Sequence, residues 1–165
     1  MAPCRWLAVG VPQGRIARVI ARNVTLGLLC VACSVTPLEQ QQDTLAGAQA
    51  RWRAAAIPNY SFELQHVCFC APIVTRPVTV TVRQGAWAML TYVDDGTVAD
   101  TALFRDFLTM DRVFAFLRST LERHPASLTA RYDAQFGYPA EIYIDYIANA
   151  ADDELSLNIP VLRIP

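Results

Sequence analysis

The chain contains no lysine; all 14 of its basic residues are arginine, and histidine occurs only twice. We read the missing lysine as coding bias. The scarce histidine leaves little room for a hydrolase triad. No GxSxG, HExxH, phosphate-loop or dinucleotide glycine fingerprint occurs, so none of the commoner nucleophile, zinc or nucleotide sites is legible. There is also no apolar run of the roughly 20 residues that a spanning helix needs, and no cluster of basic residues. The expectation is therefore a non-enzymatic protein with no cofactor, no metal and no nucleic-acid partner, since phosphate contacts depend on clustered cations.

What is present at the start is an export signal. Arg5, Arg15, Arg18 and Arg22 precede the first acidic residue, Glu39. Val24–Ala32 follows as a short apolar run, about as long as the central region of a signal peptide. Arginines before such a run and none within it match the orientation preference of membrane insertion. The run ends in Cys30-Val31-Ala32-Cys33-Ser34, which resembles a bacterial lipobox, although the position three before Cys33 holds Cys30 where that motif usually has Leu. The resemblance implies cleavage after Ala32 and acylation of Cys33, tying the protein to a membrane of the cell envelope. Cleavage without acylation, giving a soluble exported protein, stays open. So does the start of translation, because Val11 and Val19 are alternatives to Met1. We assign 1–32 to the signal peptide, 33–38 to a tether and 39–165 to one domain. Without the four leading arginines the rest carries ten basic and 15 acidic residues, a net charge of −5.

The body alternates between two periodicities. Glu39–Ala56 is rich in good helix formers, with Leu45, Ala48, Trp52 and Ala55 on one stripe, and Pro58 stops it. From Asn59 the period becomes two: Tyr60, Phe62, Leu64, His66, Cys68 and Cys70 share one face of a strand. Pro72 and Pro77 bracket a loop. Val78–Arg83 and Trp87–Val93 read as strands joined at Gln84-Gly85, with Asp94-Asp95-Gly96 as the next turn. Thr109 caps a helix whose apolar face is Met110, Val113, Phe114, Leu117 and Leu121, closed at His124-Pro125. Strands around Leu128–Tyr132 and Ile142–Tyr146 follow, joined through Gly137-Tyr138-Pro139, then a short one at Leu155–Ile159. The expected class is α+β: an antiparallel sheet of about five strands with an N-terminal helix and a middle helix on one face.

Two groups of residues stand out as candidate sites. Cys68 and Cys70 would pair in an oxidising compartment. Two residues along an ideal strand, however, leave their Cα atoms roughly 6.5 Å apart, near the upper limit for a disulfide, so the strand must bend. The pair is then a local staple, reduced core thiols, or a redox or metal centre. A metal held by His66, Cys68 and Cys70 together is disfavoured, because His66 and Cys70 would lie about 13 Å apart along a strand while zinc takes ligands at about 2.0–2.3 Å. The second group is acidic and turn-rich: Tyr132, Asp133, Gly137, Tyr138, Pro139, Asp145, Asp152, Asp153 and Glu154. It reads either as turn chemistry or as one acidic rim, the latter including a glycosidase-like pair of Asp133 and Asp145. Turn chemistry is the stronger reading.

Several of these stretches, taken together, resemble an uncharacterised bacterial family known as domain of unknown function 6174. They are Trp52, Asn59-Tyr60-Ser61-Phe62, Cys68-Phe69-Cys70-Ala71-Pro72, Pro77-Val78-Thr79-Val80 and Thr109-Met110-Asp111. Tyr132-Asp133, Gly137-Tyr138-Pro139, Ile142 to Tyr146 and Asp152-Asp153-Glu154 complete the set. The resemblance implies an exported protein, often a lipoprotein, and brings no mechanism. The functional expectation is an envelope lipoprotein anchored through Cys33 that binds an envelope protein or ligand. The alternative is a thiol-based redox or metal-binding protein centred on Cys68 and Cys70.

Overall fold

A computed structural model describes residues 37–165. The signal segment 1–32, Cys33 and the tether up to residue 36 lie outside the described residues. Helix α1 spans Pro37–Ala55. It begins inside the stretch expected to be tether, because proline fits the first turn of a helix, where its missing N–H is not needed. Leu45, Ala48 and Trp52 are buried along one stripe.

Strand β1 (Tyr60–Cys68) buries Tyr60, Phe62, Leu64 and His66 and leaves the alternate residues partly or fully exposed. A four-residue helix α2 (Pro72–Thr75) occupies the expected loop. Strands β2 (Val78–Arg83) and β3 (Ala86–Tyr92) form a hairpin. Its turn residues Gln84 and Gly85 have φ of 51° and 74°, the left-handed pair of a tight hairpin turn whose twist suits the flanking strands. A short helix α3 (Thr101–Phe104) and a 3₁₀ turn (Arg105–Phe107) lead to helix α4 (Met110–Glu122). The Thr109 side chain accepts the Arg112 N–H and so caps α4, and Met110, Val113, Phe114, Leu117 and Leu121 are all buried. Strands β4 (Ser127–Tyr132), β5 (Pro139–Asp145), β6 (Leu155–Asn158) and β7 (Leu162–Arg163) complete the described chain.

The sheet is antiparallel throughout, in the order β3-β2-β1-β6-β5-β4, with β7 on the same edge of β1 as β6. It has seven strands rather than about five. The expected last strand, Leu155–Ile159, is β6, and the strand not expected, β7, lies beyond Pro160, which has no N–H to offer the ladder. The chain then rejoins β1 as β7, with the Glu63 N–H donating to the Val161 carbonyl at 3.0 Å.

All the large buried side chains belong to one cluster, formed by the helices and one face of the sheet. Burying each Phe, Leu or Ile contributes about 1.5–3 kcal/mol. The opposite face carries the alternate residues and has no element over it among the described residues. Two ends can be told apart. At the Tyr60 end, the Met110 N–H donates to Tyr60 Oη at 2.9 Å, and the Trp52 ring meets Tyr60 edge-on at 5.1 Å. At the other end, Cys68 pairs with Leu155, Leu155 with Ile144, and Ile144 with Leu128. Helix α4 runs from the Tyr60 end to the Cys68 end. Helix α1 runs the opposite way, Gln49 Oε1 accepting from Arg118 at 3.1 Å and Leu45 sharing a small hollow with Leu121. Helix α1 therefore starts at the Cys68 end. No helix among the described residues is long and apolar enough to cross a membrane.

Candidate functional site

The uncovered face of the sheet holds a broad hollow of about 780 Å³. It follows from register. Gln65 pairs with Asn158, Asn158 with Glu141, and Glu141 with Arg131, so four polar side chains from β1, β6, β5 and β4 stand in one row. Tyr132, Asp133 and Tyr138 line the hollow beside them. A second row, Val67, Ser156, Tyr143 and Thr129, lies next to it, and a smaller hollow of about 260 Å³ spans both rows near Thr129 and Ser156. Arg131 bridges both oxygens of Glu141, which holds that carboxyl below its ordinary pKa. Tyr132 is pushed up to about 12 by burial. Tyr138 is raised by burial and by the nearby charge of Asp133. Both phenols therefore stay protonated around neutral pH and offer an O–H as well as a ring. Amides, phenols and a guanidinium–carboxylate pair on an open surface suit recognition of a polar partner by hydrogen bonding.

The turn residues have clear structural duties. Asp133 Oδ1 accepts the Gln135 and Phe136 N–H groups at 3.0 and 2.6 Å, and its backbone is bonded to Tyr138 and Gly137. Gly137 has φ of 78° and is buried under α1, where a Cβ would strike the Ala48 carbonyl. Pro139 is buried opposite Tyr132.

The acidic rim is not assembled. Asp133 follows Tyr132, which pairs with Pro139, whereas Asp145 pairs with Ser127 at the far end of the same hairpin. Tyr132 is five strand residues from Ser127, about 16 Å, and Asp133 lies one residue further, too far for the roughly 5–9.5 Å of a glycosidase pair. Asp152, Asp153 and Glu154 fall at the Asp145 end, in the β5–β6 loop. Asp153 Oδ2 accepts the Ile147 N–H at 2.6 Å, while Asp153 Oδ1 and Asp145 Oδ1 are buried with no hydrogen-bond partner.

The cysteines sit where β1 ends. The two sulfurs are 2.07 Å apart and the Cα atoms 5.2 Å apart, closer than in an ideal strand, because the chain bends at Phe69 and the Cys70 N–H donates to the Cys68 carbonyl at 2.8 Å. His66 does not face them as a ligand. It is buried, stacked on Phe104 at 5.2 Å and edge-on to Phe107 at 4.9 Å, with Nδ1 3.3 Å from the Val74 carbonyl oxygen. Burial lowers its pKa against the opposing pull of that carbonyl. Among the described residues no three His, Cys, Asp or Glu side chains converge to hold a metal ion. His124 is exposed and ends α4 with φ of 52°.

Sequence reading missed Gln65, Arg131, Glu141 and Asn158. Each was visible only as a polar residue at an alternating position, and the pairing that lines them up is non-local. It also missed Arg76, whose guanidinium lies 3.8 Å from the centre of the Tyr92 ring and bonds Asp94 and Asp95 at 3.0 and 2.8 Å. The Thr97 hydroxyl and N–H, then Arg76, hold Asp95 at about 2. No curated protein matches the chain. The model of the family described as a family of unknown function (DUF6174) matches residues 44–163, from within α1 through β7, and the chain belongs to that family.

Proposed function

We propose that this chain is an exported envelope lipoprotein, held to a membrane by acyl chains on Cys33, and that its domain is a non-enzymatic binding module. The working surface is the open face of the sheet. The observation that carries this reading is the segregation of the two faces: among the described residues, α1, α3 and α4 bury their core side chains on one side, and the other side keeps a hydrogen-bonding row over a broad hollow. Export rests on the N-terminal arginines, the apolar run and Cys33.

Two measurements test it. The intact mass of the mature protein taken from bacterial membranes should show acyl groups on Cys33; an unmodified chain beginning at Cys33 removes the anchor. A photo-crosslinking residue placed at Asn158 should give a discrete adduct in cells, and the same residue at Glu122 on α4 should not. Equal labelling from both positions, or turnover of a substrate that one open-face change abolishes, overturns the binding reading.

A second reading has one observation in its favour: Cys70 is exposed and bonded to Cys68 across a single residue, an accessible arrangement for thiol exchange. In the main proposal this bond is a staple that stays oxidised in the envelope. Alkylation of the two thiols in living cells, without prior reduction, would overturn the staple and promote the redox reading.

A further inference from the structure

Apolar side chains gather at the Cys68 end without a partner. Phe69 is 84% exposed and Ile147 63% exposed. They follow β1 and β5, whose ends are brought level through Leu155. Val67 and Ile73 are about half exposed close by. The exposure of Phe69 has a local cause. Joining Cys68 to Cys70 draws those two side chains together and turns the residue between them outward.

We infer that this end of the domain rests on the lipid surface, with Phe69 and Ile147 entering the interfacial region of the bilayer. The inference builds on the Cys33 anchor proposed above. Helix α1 starts at this same end, and Cys33 precedes Pro37 by only four residues. Four residues of fully extended chain reach about 14 Å, so an acylated Cys33 keeps the Cys68 end, and not the Tyr60 end, beside the membrane. Exposed Asp152 and Glu154 border the apolar residues, and the basic groups nearby are no polybasic patch: Arg123 and His124 stand alone, and Arg76 is bonded to Asp94 and Asp95. The surface therefore suits zwitterionic lipid better than anionic lipid. Strands standing on the bilayer would hold the polar row of Gln65, Asn158, Glu141 and Arg131 sideways, open to a partner at the membrane.

The remaining tryptophans provide the test. In the mature chain Trp52 packs on Tyr60 and Trp87 pairs with Val82, opposite Tyr60, so both lie at the far end. The acylated protein is placed in phosphatidylcholine vesicles with and without bromine on the acyl chains, as wild type and as Phe69→Trp. We expect wild-type emission to be unchanged by bromine, and the component added at position 69 to be blue-shifted and mostly lost. Retained, red emission from position 69 in protein whose mass shows acylation overturns the inference and leaves the anchor standing. Blue-shifted but unquenched emission overturns it in favour of a protein covering Phe69, and quenching in the wild type reverses the orientation. An unacylated mass removes the anchor and this inference with it.

Discussion

Neighbouring residues of strand β1 live in two different environments. Tyr60, Phe62, Leu64 and His66 are sealed against the helices, while Ser61, Glu63 and Gln65 look out from the same backbone. The covered face is aliphatic and aromatic and holds the large buried side chains. The open face is mainly polar with few free charges: Thr79, Thr81, Thr91, Ser156 and Asn158 join those of β1, and Val67, Met89 and Tyr143 are its exposed apolar members. Stability is therefore concentrated on one side of the sheet, and the other side is at liberty to carry recognition. Phe62→Ala should lower unfolding free energy by about 3–5 kcal/mol. Ser61→Ala and Thr79→Ala should stay within about 0.5 kcal/mol. Urea titration of the three variants decides. A cost of several kcal/mol at Thr79 would show that the open face contributes to folding and would undo the contrast.

A smaller effect is expected where the open face reaches the helix layer, at Gly137. Its left-handed backbone costs any L residue about 1–2 kcal/mol, and the Ala48 carbonyl leaves no space for a Cβ, adding about 1–3 kcal/mol of overpacking. Gly85 has the same sign of φ and open space around it. Gly137→Ala should therefore destabilise clearly more than Gly85→Ala in thermal unfolding. Equal losses would mean that the turn is not pressed against α1.

The covered face holds an imidazole, His66, in an aromatic setting, and it sharpens the contrast through pH. The folded state lowers the pKa of His66, chiefly by burial. The unfolded chain takes up the proton near 6.5 and the folded one resists. Stability is thus complete above about pH 6.5 and is lost as pH falls below it. Tm should drop between pH 7.5 and 5.5 in the wild type and be nearly flat over that range in His66→Gln. A slope that survives the substitution assigns the effect elsewhere. Asp94 and Asp95 act in a separate, lower window: their carboxyls are depressed, Asp95 to about 2, so their contribution is present above pH 3.8 and fades as pH falls toward 2.

The covered face was largely legible from sequence because its signals are local. The stripe of α4 with its Thr109 cap, the alternation along β1 and the left-handed turn at Gln84-Gly85 each lie within a few neighbouring residues. The open face was not. Gln65 and Arg131 are 66 positions apart, and only the register of four strands puts them in one row. Asp133 and Asp145 belong to one hairpin, yet its strands carry them to opposite ends. The turn role of Asp133 and the positive φ of Gly137 were readable because turn chemistry is local. The two-residue strand β7 and the four-residue helix α2 are too short to leave a periodicity.

The gentlest perturbation concerns the ion pair of the open face. Arg131 and Glu141 are both solvent-exposed, and exposed pairs contribute little to folding, so Arg131→Gln should leave Tm unchanged. It should not leave Glu141 unchanged. The guanidinium holds that carboxyl below its ordinary 4.5, so removing it should raise the Glu141 midpoint back toward that value, followed by NMR at the side-chain carboxyl carbon. The sign is fixed: a depressed folded pKa adds stability above the unfolded value and loses it as pH falls, so any residual stability difference between the two proteins should vanish in acid. An identical midpoint in both would mean that the pair does not persist in solution. The row would then present a free carboxylate and a free guanidinium, and the partner proposed for it would be a charged one.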